Sequence, residues 1–236
     1  MGLMDKIKGL FKPAETNPVR DSSEFDNELS AIPVVPINYN HRFLKTNYVK
    51  EMPKVNFSRP RKSSKYSGYG NFVVLDTETT GIHISNEIIE ISAIKYKDFK
   101  PVSAFTTLIK PKNEIPPEVS QITNITNDMV ANSPTIYQVM PSFIEFVSDN
   151  DIVGHNLLFD LEFVYKYGFK FQEQKRRCFD TLDMSRSVIK NTKDHKLTTM
   201  CDYYGIVRND AHRSLSDCFA TAKLYINLLD GYSLVK

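Results

Sequence analysis

Four apolar residues, Phe72-Val73-Val74-Leu75, run without a break into Asp76-Thr77-Glu78-Thr79-Thr80-Gly81. The first part predicts a short strand over 71–75 and the second an abrupt polar exit from it. Side chains alternate along extended backbone, so Asp76 and Glu78 point to the same side. Two carboxylates held that close repel one another unless a cation lies between them or one takes up a proton. Hard oxygen ligands at this spacing suit Mg²⁺ or Mn²⁺. The same residues also fit a plain strand-to-turn exit in which Gly81 adopts a positive φ.

The chain around this feature has the texture of a packed α/β domain. Strands are predicted over 88–96 and 104–110, joined by a turn around Lys100-Pro101, and a short fourth strand over 151–154. Helical periodicity marks 127–131, 135–148, 157–167, 181–190, 196–204 and 214–229. Strands first with helices around them imply a mixed sheet with helices packed on its faces.

Two further clusters carry ionisable groups. Val153-Gly154-His155-Asn156 leads into Leu157-Leu158-Phe159-Asp160, where Asn156 can cap the following helix and Asp160 lies about one turn in. Asp160 there also fits a favourable charge at a helix start, and Phe159 and Phe163 an i,i+4 packing pair, the reading preferred for Phe163. His212-Arg213-Ser214-Leu215-Ser216-Asp217 opens the last helix, with Ser214 and Asp217 placed as a capping box. Five residues span about 500° of helix, so a helical His212 would point away from Asp217. In the loop before the cap, both can turn toward one site, where a histidine accepts a proton near neutral pH. Together the clusters offer four carboxylates and one histidine. Two-metal phosphoryl hydrolysis needs such a set, because several carboxylates must hold two cations ~3.5–4 Å apart.

The first 70 residues differ in character. They hold 12 Lys/Arg against 7 Asp/Glu, while the remainder holds 18 against 21. Six of the twelve prolines also fall here, which disfavours long regular elements. Between Arg42 and Lys65 eight basic residues face one acid, interleaved with Phe43, Tyr48 and Phe57 and followed by Tyr66. That stretch reads either as a solvated linker or as an arm that contacts phosphates and stacks on bases. Leu3, Met4, Ile7, Leu10 and Phe11 recur at helical spacing, a short stripe that needs a partner protein, a membrane surface or the chain's own core to bury it.

Composition removes several classes. With 41% hydrophobic and 25% charged residues the chain is no disordered polymer, and a formal charge of +2 is too small for a protein that coats nucleic acid. No apolar run approaches the ~18 residues of a transmembrane helix. Asp5, Lys6 and Lys8 interrupt the N-terminal apolar stretch, so no secretory signal is expected, and Lys6 argues against myristoylation. Cys178, Cys201 and Cys218 form no CxxC pair, which speaks against zinc ribbons and disulfide frameworks and suits a reducing cytoplasm.

Taken in order, Val74-Leu75-Asp76-Thr77-Glu78-Thr79-Thr80-Gly81, His155-Asn156-x-x-Phe159-Asp160 and His212 with Asp217 five positions on resemble the DnaQ-like (DEDDh) 3′–5′ exonucleases, the family of epsilon-type proofreading subunits. Ile88-Ile89-Glu90-Ile91, Ile122-Thr123-Asn124-Ile125-Thr126, Asp180-Thr181-Leu182, Lys196-Leu197 and Tyr204-Gly205-Ile206 are similar too. The likeness covers about 71–230, and Ser214 departs from the family's usual alanine. It implies a ribonuclease H-like mixed sheet flanked by helices over 67–236, behind a largely irregular basic extension over 1–66. It also implies that Asp76, Glu78, Asp160 and Asp217 hold two Mg²⁺ or Mn²⁺ ions, and that His212 takes a proton from the attacking water. Thr77, Thr79, Thr80, His155, Asn156 and Phe159 would contact the terminal nucleotide. His41, His83 and His195 match no catalytic position and read as surface or turn residues.

The implied activity is metal-dependent release of nucleoside 5′-monophosphates from DNA 3′ ends, in proofreading or repair. The rivals are an exoribonuclease of the same family and a non-catalytic nucleic-acid or polymerase interaction module. A DNA polymerase or sliding clamp would be the protein partner. Lys8-Gly9-Leu10-Phe11 resembles clamp-binding peptides that end in Leu-Phe, without their usual glutamine.

Overall fold

The computed structural model describes residues 22–39, 52–60, 68–173, 175–208 and 212–234. The N-terminal stripe with its 8–11 peptide, His41, Phe43, Tyr48 and Tyr66 lie outside these residues. Five strands form one mixed sheet in the order β3-β2-β1-β4-β5. They are β1 (Phe72–Thr79), β2 (Ile88–Lys97), β3 (Lys100–Leu108), β4 (Asp151–Gly154) and β5 (Cys178–Asp180). The first three run antiparallel to their neighbours, whereas β4 lies parallel to β1, and β5 parallel to β4. Eight helices are described: α1 (Ser22–Ser30), α2 (Pro117–Thr123), α3 (Asn127–Val130), α4 (Ile136–Val147), α5 (Leu157–Lys166), α6 (Thr181–Val188), α7 (Leu197–Tyr204) and α8 (Ser214–Leu234).

The apolar run of β1 is buried on both faces, which is why it shows no hydrophobic alternation. Phe72 and Val74 pack with Phe179, Met184, Met200, Phe219 and Tyr225, so α6, α7 and α8 cover that face. Val73 and Leu75 pack with Phe105, Phe143, Leu161 and Phe163, so α4 and α5 cover the other. Strand parity then puts Asp76 and Glu78 on the α8 side and Thr77 on the α5 side.

Sequence and structure differ in four places. β1 runs on to Thr79, so both carboxylates lie inside the strand rather than past its end. The reversal between β2 and β3 is at Asp98-Phe99, with φ of 49° and 63°, not at Lys100-Pro101. Consecutive left-handed residues match the twist of a tight hairpin, and Pro101 is tolerated because β3 is an edge strand. β5 and α2, predicted as neither strand nor helix, are three and seven residues long, too short for a readable period. α1 forms in the part of the chain expected to be irregular.

The described parts of the N-terminal region close both sheet edges. Val35 N donates to Ala104 O and Ala104 N to Pro33 O, each at 2.8 Å, which pairs this segment with β3. At the opposite edge Ser58 N donates to Cys178 O of β5 at 2.7 Å, while Val55 and Phe57 pack on the core. Phe57 is therefore spent on the fold and is not free to stack on bases. Unpaired edge groups invite association with other chains, and these bonds occupy part of each edge. Phe25 of α1, 3% exposed, meets the Phe219 ring of α8 edge-on with centroids 5.0 Å apart. Phe25→Ala is expected to cost about 3 kcal/mol in urea unfolding with an unchanged slope. A loss below about 0.5 kcal/mol would show that α1 lies outside the cooperative unit.

Candidate active site

β1 pairs with β4 only over Phe72–Val74, so its last residues project beyond the end of β4. Into the space left there come the first turns of α5 and α8, bringing Asp160 and Asp217 to Asp76 and Glu78. The Thr77 amide and hydroxyl both donate to Asp160 Oδ1, at 2.9 and 2.7 Å. Strand parity supplies this link, since Thr77 faces α5. His212 lies in the turn before α8 at a φ of 65°, where its backbone N–H favours the charged form of Asp217. Ligand atoms of Glu78, His212 and Asp217 lie within 4.8 Å of one another.

The electrostatics report the same convergence. Burial pushes the Asp76 carboxyl well above the usual range, and Asp160, Asp217, Glu78 and Glu90 push it further. Glu78 rises to about 8, through burial first and then Asp217, Glu90 and Asp160. Burial lifts Asp160 to about 7 against the hydrogen bonds from Thr77. Asp217 reaches about 6, because Arg208 offsets part of its burial. Asp76 and Glu78 keep some surface open to solvent, so the cluster is reachable from outside. Burial, followed by the Arg208 charge, lowers the His212 pKa.

Sequence reasoning missed a fifth acid. Glu90 stands opposite Glu78 across the β1–β2 pair, a like-charge arrangement that is unfavourable alone. Arg213 neutralises it with Nη2 at 2.7 Å and Nε at 3.1 Å from Oε1, and the Ser214 amide donates to Oε2 at 2.8 Å. Glu90 thus ties β2 to the start of α8. One acid inside Ile88-Ile89-Glu90-Ile91 was the signal available for it.

Both expected caps form differently. Asn156 occupies the cap position of α5 in a left-handed conformation with no side-chain cap bond. Its own amide donates instead to Asp180 Oδ1 at 2.9 Å, and that oxygen also accepts from Leu182 N. Ser214 Oγ bonds Ser92 Oγ at 2.7 Å rather than closing a capping box, and the Asp217 carboxylate is taken by Arg208.

The six residues expected to grip the substrate all have partners within the chain. Thr77 serves Asp160. Thr79 Oγ1 donates to Gly81 O, and Thr80 Oγ1 accepts from Glu87 N, which closes the 80–87 loop. The His155 ring bonds Thr181 Oγ1 at 2.9 Å, and burial lowers its pKa to about 4. Asn156 is held through Asp180, and Phe159 lies against Phe163 with centroids 4.9 Å apart. Phe163 is core, as its spacing suggested. His83 is exposed in the 80–87 loop, and His195 Nδ1 contacts Ser185 Oγ at 3.1 Å in the turn before α7.

The exonuclease pattern designated RNase T matches residues 73–225, a span that includes β1, α5 and the start of α8. The chain belongs to the RNase T/DnaQ-like exonuclease family. It is 35% identical over 164 residues to the DNA polymerase III subunit epsilon of Aquifex aeolicus, a match that covers 68% of this chain and 81% of that one. The PolC-type DNA polymerase III of Caldanaerobacter subterraneus is 36% identical over 169 residues, but the match spans only 12% of that protein. An exonuclease X in complex with 5′-overhanging duplex DNA has a TM-score of 0.56 at 25% identity, covering 70% of this chain and 94% of its own. Escherichia coli exonuclease I in complex with a dT13 oligonucleotide shares the fold, with a TM-score of 0.59 at 20% identity over 66% of this chain and 40% of its own.

Exonucleases of this family are metal-dependent, and the donor set here fits divalent ions. Four mutually repelling carboxylates stand together with a histidine beside them, Asp160 held by Thr77 and Asp217 by Arg208, and a hard cation relieves what proton uptake otherwise must. The sign of the pH dependence follows. These carboxyls have folded pKa values above their unfolded ones, so the folded state binds extra protons between about pH 4 and pH 8, and stability falls as pH rises through that window. The metal-free protein should melt at a lower temperature near pH 8.5 than near pH 5.5, and Mg²⁺ should recover more of the loss at the higher pH. Asp76→Ala should flatten the fall without lowering the melting temperature near pH 8.5. A flat wild-type profile, or a metal-free variant that unfolds early, would overturn this account of the cluster.

Proposed function

We propose that this exonuclease is a two-metal enzyme of the DEDDh type that removes nucleotides from DNA 3′ ends, in proofreading or repair. The observation that carries the reading is the convergence of Asp76, Glu78, Asp160 and Asp217 on one partly open centre with His212 at its rim. The four carboxylates are the residues that would hold two Mg²⁺ or Mn²⁺ ions. Bound there, such ions supply positive charge to the oxygens of the scissile phosphodiester.

The chain's own groups do the rest. His212 takes the proton of the attacking water, and its lowered pKa keeps the imidazole neutral and able to accept near neutral pH. The loop closed by Thr79, Thr80 and Glu87 follows directly on the β1 carboxylates and carries Ile82, 81% exposed, an apolar side chain on which a terminal base could rest. The DNA polymerase and DNA exonuclease relatives favour DNA as substrate and a polymerase as partner. The three cysteines, free and buried, suit a reducing cytoplasm.

Single-stranded DNA and RNA of one sequence, each labelled at the 3′ end, test the proposal with and without Mg²⁺. Labelled nucleoside 5′-monophosphate should appear from DNA at once and only with the metal, and Asp76→Asn should give none. His212→Ala should lower turnover by roughly 10²-fold or more while Mn²⁺ still binds. Faster release from RNA would move the assignment to an exoribonuclease. A folded, Mg²⁺-loaded protein that releases nothing from either strand would make it an interaction module.

A further inference from the structure

The catalytic reading leaves one buried charge without a task. Arg208 follows α7, and its side chain is 7% exposed. Its Nε lies 2.7 Å from Asp217 Oδ1, in contact but off hydrogen-bond alignment. Its Nη2 donates to Asp217 Oδ2 at 3.2 Å, and its Nη1 to Thr198 Oγ1 at 3.0 Å. The guanidinium therefore faces both oxygens of a carboxylate that, with Glu78 and His212, offers atoms close enough to share one ion. Its charge is also felt at Glu78 and at His212. Arg213, the neighbouring arginine, is engaged by Glu90 and does not substitute for it.

We propose that Arg208 is a positioning residue that sets metal affinity: it holds Asp217 in the metal-free protein and must yield at least one carboxylate oxygen before a divalent ion can be held between Glu78 and Asp217. The proposal rests on the two-metal reading above. A buried carboxylate and a buried guanidinium are each costly alone, so the pair keeps α8 and the end of α7 in place while the centre is empty of cations. A divalent ion on Asp217 competes for the same lone pairs and repels the guanidinium across a short, poorly screened gap. Metal binding and the Arg208–Asp217 pair are thus linked with opposite sign. The Thr198 bond gives the arginine a second anchor on α7 when Asp217 is taken.

Calorimetric titration of the full chain with Mn²⁺ near pH 8 tests this. Arg208→Gln should bind Mn²⁺ about tenfold more tightly than wild type, and Arg208→Lys, which keeps the charge but loses the fork, should fall between them. In the wild type, the Arg208 Nε–H resonance should shift as Mg²⁺ is added and saturate with the binding isotherm. Equal or weaker Mn²⁺ binding by a folded Arg208→Gln would overturn the proposal and leave the two-metal reading standing. Should that variant fail to fold, an Nε–H resonance unmoved at saturating Mg²⁺ overturns it in the wild type. Absence of Mn²⁺ binding by the wild type would remove both readings together.

Discussion

Repulsion among carboxylates at the overhanging end of β1 is the constraint around which the rest of this fold is arranged. Asp76 and Glu78 come from one strand, Asp160 from α5 and Asp217 from α8, and each raises the proton affinity of the others. Left to themselves, such groups would move apart or draw the helices away from the sheet. Each helix is instead fastened to the sheet by specific hydrogen bonds. Thr77 takes Asp160 with a backbone amide and a hydroxyl, and Glu90 takes the start of α8 through Arg213 and the Ser214 amide. The destabilising centre is then preorganised for cations that relieve it.

The sheet and its N-terminal straps explain how that strain is contained. Both faces of β1 are packed, so moving its end requires disturbing two cores. The two edges of the sheet are occupied by residues 33–35 and by Ser58 of the N-terminal region. α1 adds a further lock by seating Phe25 against Phe219, two residues from Asp217 along the same helix. The extension thereby reaches the acidic centre mechanically through α8, whatever its basic residues do.

What the sequence made legible follows from how local each signal is. β1, α5 and α8 could be read because their apolar runs and their acids sit in consecutive residues. For His212 the angle argument left two placements open, and the structure puts it in the turn before α8. Glu90–Arg213 could not be paired, since 123 positions separate two residues that meet only after β2 and α8 dock. β5 escaped because three residues carry no period. The caps at Asn156 and Ser214 went astray for a common reason. A local capping pattern competes with tertiary donors and acceptors, and here Asp180, Ser92 and Arg208 won.

The partners of the six expected substrate-gripping residues suggest where nucleotide recognition must come from. The threonine hydroxyls and His155 Nδ1 hold β1, the 80–87 loop and the start of α5 in shape, whereas His155 Nε2 is buried without a hydrogen-bond partner among the described residues and Asn156 is engaged through its backbone amide. With the three threonine hydroxyls already engaged, shape, apolar contact and the charges at the centre carry more of the grip on a ligand than new hydrogen bonds from those hydroxyls. Such contacts tolerate any of the four bases, because every base offers an apolar face and every linkage the same phosphate. An exonuclease that must remove whichever nucleotide stands last has use for that tolerance.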